Sequence, residues 1–130
     1  MIGLATRMDL FSIVYVATPE EAVEMVKQGA NAVIAHVGTT VGGSIGVTQA
    51  VVSWDHTIKV TQDIIDAAKS ANKDVFTLTH GGPINTPKDV EFILGKTTAD
   101  GFVGASSLER MGVEDSLTNL TREFKRVARV

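Results

Sequence analysis

Thr79-His80-Gly81-Gly82-Pro83-Ile84 closes the short apolar run Val75-Phe76-Thr77-Leu78 and opens onto a segment that starts as a helix starts, Thr86-Pro87-Lys88-Asp89. Gly104-Ala105-Ser106-Ser107 repeats the arrangement after Gly101-Phe102-Val103. Both stretches therefore read as turns in which a strand hands over to a helix. Small residues leave backbone N–H groups free to point at a ligand, and a following helix N-terminus adds partial positive charge, so such turns favour an anion. Barrels of alternating strands and helices commonly build a phosphate site from their last two such loops.

Working outward, the same unit recurs four times. Residues 1 to 9 carry Ile2, Ala5 and Met8 at helical spacing. Phe11 to Ala17 is apolar and rich in β-branched residues, which predicts a buried strand. Thr18-Pro19-Glu20-Glu21 then supplies an N-cap, a proline in the first turn and a capping acid, for a helix that Gly29 ends. Ala32 to Ala35 predicts a second strand running into His36, followed by the glycine-rich stretch Val37 to Gly46 and a helix over Asp55 to Ala71. Asp74 to Thr79 predicts the third strand, Pro87 to Gly95 the next helix, and Gly101 to Val103 the fourth strand. A last helix over Glu114 to Ala128 places Leu117, Leu120, Phe124 and Val127 on one stripe, which is expected to be its buried face.

Strand and helix in alternation predict an α/β fold: a parallel sheet with right-handed crossovers and ligand sites at the carboxyl ends of the strands. The chain has 130 residues and reads as a single domain, 1–130, with no linker or low-complexity tract. A complete eight-fold barrel needs about 250 residues. Four units are half of that.

Composition narrows the function classes. The net charge of -3 carries no polycationic footprint beyond a small cluster at Arg122, Lys125, Arg126 and Arg129, so nucleic acid is not expected as a partner. The absence of cysteine removes disulfides and thiolate metal sites and suits a reducing compartment. No apolar run approaches the ~20 residues of a membrane span, and the N-terminus lacks the pattern of a signal peptide, so no membrane association and a cytoplasmic location are expected.

His80-Gly81-Gly82-Pro83-Ile84, the helix opening at Pro87-Lys88-Asp89, the run Gly101 to Arg110, and the stretch Ala35-His36-Val37-Gly38-Thr39-Thr40-Val41-Gly42-Gly43-Ser44-Ile45-Gly46 together resemble the phosphoenolpyruvate-hydrolase-like family of TIM-barrel proteins. The same barrel accompanies Tm-1-like ATP-binding domains. The resemblance runs through the whole chain and matches the C-terminal half of the family's barrel, strands five to eight. Met111-Gly112 departs from it, standing where the family tends to carry leucine and proline. The resemblance implies a half-barrel completed by a second chain, either another copy or a missing N-terminal half. It also implies a small phosphorylated or carboxylated metabolite as ligand, with hydrolysis or carbon–oxygen or carbon–phosphorus cleavage as the chemistry.

The candidate residues follow from position. Gly81, Gly82, Gly104, Ala105, Ser106 and Ser107 are expected at the anion, unless the glycines merely permit turns and the serines cap a helix. His36 and His80 end two strands, where an imidazole can act as acid, base or electrophile, or can be an ordinary hydrogen-bonded side chain. Glu109 is a candidate base and Arg110 a candidate carboxylate partner, with a charged helix start as the plain alternative. Thr39, Thr40, Gly42, Gly43 and Ser44 are candidates for a lid whose closure excludes water, with Gly42 and Gly43 at the ligand, or else form a plain connector. His56 is expected at the surface. A divalent metal such as magnesium is only weakly supported, because it would want carboxylates at strand ends that instead carry histidine, threonine and serine. A serine hydrolase is set aside for want of a nucleophile elbow.

Overall fold

The computed structural model describes residues 1–43 and 52–127. Helix α1 spans Ile2–Arg7, strand β1 Ile13–Val16, α2 Pro19–Lys27, β2 Ala32–His36, α3 Trp54–Ala71, β3 Phe76–His80, α4 Pro87–Leu94, β4 Gly101–Phe102, α5 Ser106–Glu109 and α6 Met111–Lys125. The strands form one parallel sheet in the order β1-β2-β3-β4. Sheet order repeats chain order, which is the arrangement of a barrel segment.

Local chemistry sets the helix starts. Thr18 accepts from the Glu21 N–H with Pro19 behind it. Thr86 and Asp89 form a reciprocal capping box at α4, the Asp89 carboxylate taking the Thr86 N–H at 2.7 Å. Ser53 caps α3 through the His56 N–H, and His56 itself is exposed.

Register and pleat divide the sheet into two faces. Val16, Val33 and Ala35 pack with Ala22 and Val26 of α2 and with Ile64 and Ala68 of α3. Thr77 and Thr79 share that face and are fully buried; the Thr79 hydroxyl lies 3.5 Å from that of Thr61 on α3. Phe102 joins a second cluster with Val37, Ile84 and Ile93. The opposite face holds Ile13 and Tyr15 of β1, Ile34 and His36 of β2, and Phe76, Leu78 and His80 of β3, as the pairings Tyr15↔Ile34, Ile34↔Leu78 and His36↔His80 require. Among the described residues no helix covers it, and Tyr15 and Phe76 are 52% and 55% exposed.

At the bottom of the sheet Asp100 ties strand to helix. Its Oδ2 accepts from the Thr77 N–H at 2.8 Å, the Thr77 hydroxyl at 2.9 Å and the Lys69 ammonium at 3.0 Å, while Lys69 also donates to the Val75 carbonyl. Burial pushes this carboxyl up, but the Thr77 N–H, the Lys69 ammonium and the Thr77 hydroxyl outweigh it and hold the group below its ordinary value.

The C-terminal segment corrects the sequence-based reading. The expected last helix is α6, which starts earlier than Glu114, at Met111, and is preceded across Arg110 by the one-turn α5. Its apolar stripe is not buried. Leu117, Leu120, Phe124 and Val127 are all more than half exposed, and among the described elements α6 packs chiefly on α5. Met111 is the buried residue of that helix. Ala128, the expected end of the helix, lies outside the described residues, as do Ser44, Ile45 and Gly46 of the glycine-rich stretch. The strands are also shorter than expected, β1 losing Phe11, Ser12 and Ala17 and β4 losing Val103.

Candidate functional site

Register brings the two strand-end histidines together. His36 and His80 are direct partners on β2 and β3, with ring centroids 5.3 Å apart, and Tyr15 of β1 stands edge-on to both, 5.5 Å from His36 and 5.2 Å from His80. Three rings from three consecutive strands thus meet on the uncovered face at the carboxyl end of the sheet. Tyr15 escapes a motif-based reading because it looks like one more member of an apolar run. The signal that finds it is strand alternation, since it sits two residues beyond Ile13 on the same face.

The hydrogen bonds fix how each imidazole presents itself. His80 Nδ1 lies 2.7 Å from the Val103 carbonyl, and a carbonyl can only accept, so Nδ1 carries a proton and, in the neutral ring, Nε2 keeps its lone pair. His36 Nδ1 accepts from the Gly38 N–H at 3.4 Å, which places the proton of its neutral ring on Nε2. His80 is 8% exposed and held from below; its neighbour is half-buried. The pair therefore offers one acceptor and one donor, the complement that a proton transfer needs.

The glycine turn is built for close approach. Gly81 has φ +87°, and a Cβ there would run into the Gly38 carbonyl; the Gly82 N–H donates to that same carbonyl at 2.9 Å. Together with Val41 N–H on the Gly82 carbonyl and Val37 N–H on the His80 carbonyl, these bonds staple the loop after β2 to the turn after β3. One of the N–H groups expected to face an anion is consequently already in use.

Gly42 and Gly43 lie against Asn85, Met111 and Arg110, where a side chain would collide. Arg110 donates to the Gly42 carbonyl at 3.1 Å and pairs with Glu114 at 3.2 Å, so its guanidinium fastens the loop to the start of α6. Gly104, Ala105, Ser106 and Ser107 form the turn into α5, half-buried, with no side-chain cap from either serine. Ser107 lines a cavity of about 330 Å3 with Asn85, Thr86, Val90, Phe102 and Leu108. That cavity borders the helix-facing side of β4, because Phe102 pairs with the inward-buried Thr79, whereas the histidines point the other way. Glu109 is exposed at the end of α5, and among the described residues its carboxylate takes no hydrogen bond. Thr39 stands at the edge of the loop and Thr40 is buried beneath it.

Among the described residues no three histidine or carboxylate side chains converge as the ligands of a metal would, and no helix is long and apolar enough to cross a membrane. The setting aside of a serine nucleophile needs correction: Gly42-Gly43-Ser44-Ile45-Gly46 does have the Gly-x-Ser-x-Gly spacing. An elbow places its serine on the turn that directly follows a strand. Here β2 ends at His36, well before Ser44, and Ser44 lies outside the described residues.

Comparison with known proteins agrees with this architecture. The tomato (Solanum lycopersicum) ToMV susceptible protein tm-1(GCR26) is 41% identical over 129 residues, and the ToMV resistance protein Tm-1(GCR237) 40% identical over the same length; each match takes in 98% of this chain and 17% of the relative. The chain thus spans about a sixth of the curated relatives it matches. A solved structure of nitroalkane oxidase from Streptomyces ansochromogenes shares the fold at a TM-score of 0.53 and 24% identity, covering 82% of this chain and 30% of that one. Four parallel strands in chain order, similar to under a third of that longer protein, are half of a TIM-type barrel. The phosphoenolpyruvate hydrolase-like family model matches residues 1–127, and the chain belongs to that family.

Proposed function

We propose that this chain binds a small phosphorylated or carboxylated metabolite, of the phosphoenolpyruvate type that the family's description suggests, at the carboxyl end of β1 to β3, in the cytoplasm. The observation that carries the reading is the His36–His80 pair, one ring presenting an acceptor and the other a donor, with the Tyr15 ring closing the side. In the hydrolytic form of the reading, His80 Nε2 takes a proton from the attacking water. His36 Nε2–H donates to the oxygen on which charge develops or with which the leaving group departs. Gly81, Gly82 and the Gly104–Ser107 turn border the anion, Gly42 and Gly43 sit in the adjoining loop, and Glu109 stands ready as a second base if the ligand reaches α5.

A second reading, a binding module that turns nothing over, is favoured by one observation: among the described residues no carboxylate joins His36 and His80 in a three-residue cluster. Phosphate release from phosphoenolpyruvate separates the two. Turnover by the parent that falls at least tenfold in His80→Ala supports the enzyme. Saturable binding of phosphoenolpyruvate by calorimetry, with no release, supports the module, and neither binding nor release removes both.

A further inference from the structure

We propose that the cavity between α4, β4 and α5 is a second ligand site, separate from the histidine cluster, and that it takes a compact uncharged ring whose edge carries a donor beside an acceptor, as a primary amide does.

Size and lining set the kind of molecule. At about 330 Å3 the cavity falls at the lower end of the range for small-molecule sites, about 300 to 1,000 Å3. Its walls are apolar: Pro87 and Val90 from α4, Phe102 from β4 and Leu108 from α5. Val90 and Phe102 both pack on the buried cluster that holds Ile84 and Ile93, so that wall is set by the core. Leu108 lies against Gly104, where a Cβ would collide with its side chain. Two polar side chains remain for recognition. Asn85 and Ser107 line the same cavity, and among the described residues neither the Asn85 amide nor the Ser107 hydroxyl has a hydrogen-bond partner. An amide offers a donor and an acceptor side by side in one plane, and its complement is another such edge. The backbone of Asn85 is already held, its N–H donating to Asp89 Oδ2 at 3.2 Å.

Charge decides between an ion and a neutral ring. Of the residues that line the cavity none is charged. The first turn of α4 would otherwise draw an anion, but Asp89 already answers it: the N–H groups of Asn85 and Thr86 and the Thr86 hydroxyl all donate to its Oδ2. A phosphate or carboxylate placed here would meet that carboxylate with no lining cation to offset it. The anionic metabolite proposed for the histidine cluster is therefore not the occupant. The two places also lie on opposite faces of the sheet, since Phe102 pairs with the buried Thr79 and His36 with His80 on the other side. Each can be filled without the other.

Three probes of nearly one shape test the proposal: benzamide, benzoate and toluene, each titrated into the full-length protein while the backbone amide signals of Asn85, Val90 and Ser107 are followed by nuclear magnetic resonance. Benzamide should shift them saturably and bind at least tenfold more tightly than either of the others. Asn85→Leu keeps the bulk of the side chain and removes no hydrogen bond among the described residues, so the thermal midpoint should hold while benzamide weakens at least tenfold and toluene does not. Val90→Phe narrows the opposite wall and should weaken benzamide and toluene alike. Benzoate or toluene binding as tightly as benzamide overturns the proposal. So does benzamide binding that survives both substitutions, displacement of benzamide by phosphoenolpyruvate, or the failure of all three probes to move these signals. Phosphoenolpyruvate that binds nowhere removes the proposed function and leaves this site standing.

Discussion

His80 Nδ1 lies 2.7 Å from the Val103 carbonyl, a bond that fastens the end of β3 to the residue just beyond β4 and leaves Nε2 outside it. The ring supports the turn through Nδ1 and, in the proposed function, does chemistry through Nε2, and two substitutions separate the two roles. His80→Ala leaves the Val103 carbonyl short of its donor and is expected to cost about 1–3 kcal/mol, read by denaturant unfolding. His80→Asn keeps an N–H in reach of that carbonyl and should recover most of the stability. Both should lose ligand binding or turnover at least tenfold. Full function in His80→Asn would show that Nε2 is not used.

Asp100 predicts an acid limb to stability. Its folded carboxyl titrates below its ordinary value, so the unfolded chain holds more protons in the range where the two differ. The stabilisation is fully present above about pH 4, the unfolded value, and is lost as pH falls through the lower folded one. Its side chain is 39% exposed and solvent screens the Lys69 pair, so Asp100→Asn is expected to cost only about 1 kcal/mol at neutral pH. Unfolding midpoints measured between pH 3 and 6 should fall less steeply in the variant than in the parent.

Gly81 and Gly38 form one contact with two different sensitivities. Alanine at Gly81 meets both a positive φ and the Gly38 carbonyl, and should cost about 3 kcal/mol or push the two loops apart. Alanine at Gly38 also has a positive φ but open space around it, and should cost about 1 kcal/mol. Thermal unfolding of the two single variants checks the order. Equal losses would mean that the close approach carries no weight.

The capping box makes a fourth prediction. Thr86→Ala removes the acceptor for the Asp89 N–H and the hydroxyl that Asp89 also holds, and should destabilise by about 1 kcal/mol. Thr86→Ser should retain most of it. Amide exchange in α4 is the sensitive readout, because the loss begins at the first turn of that helix.

These devices differ in how far the sequence reveals them. Thr18-Pro19 and Thr86-Pro87 announce their helices because capping is settled within four residues, and the four-unit alternation follows from apolar runs that are equally local. The His36–His80 partnership was legible only as two strand ends; that they share a register position depends on pairing across the sheet. Thr61 and Thr79 are less visible still, since a buried threonine reads as any β-branched residue until two layers meet. Hydrophobic spacing correctly marks α6 as two-sided. It cannot say whether the apolar side is met by the same chain, and the exposure of Phe124 is the result. Arg110 likewise gave no sign of reaching Gly42, because a long guanidinium takes its partner from wherever the neighbouring loop passes.

Sheet order that repeats chain order has a genetic corollary. Each strand pairs with its neighbours in the chain, and no connection between the described strands skips one. Tandem duplication of a coding sequence for such a piece, followed by in-frame fusion of α6 to the next α1, adds units at one end without rethreading any existing one. A barrel of this kind can grow or divide at the level of DNA while every contact inside the retained piece survives.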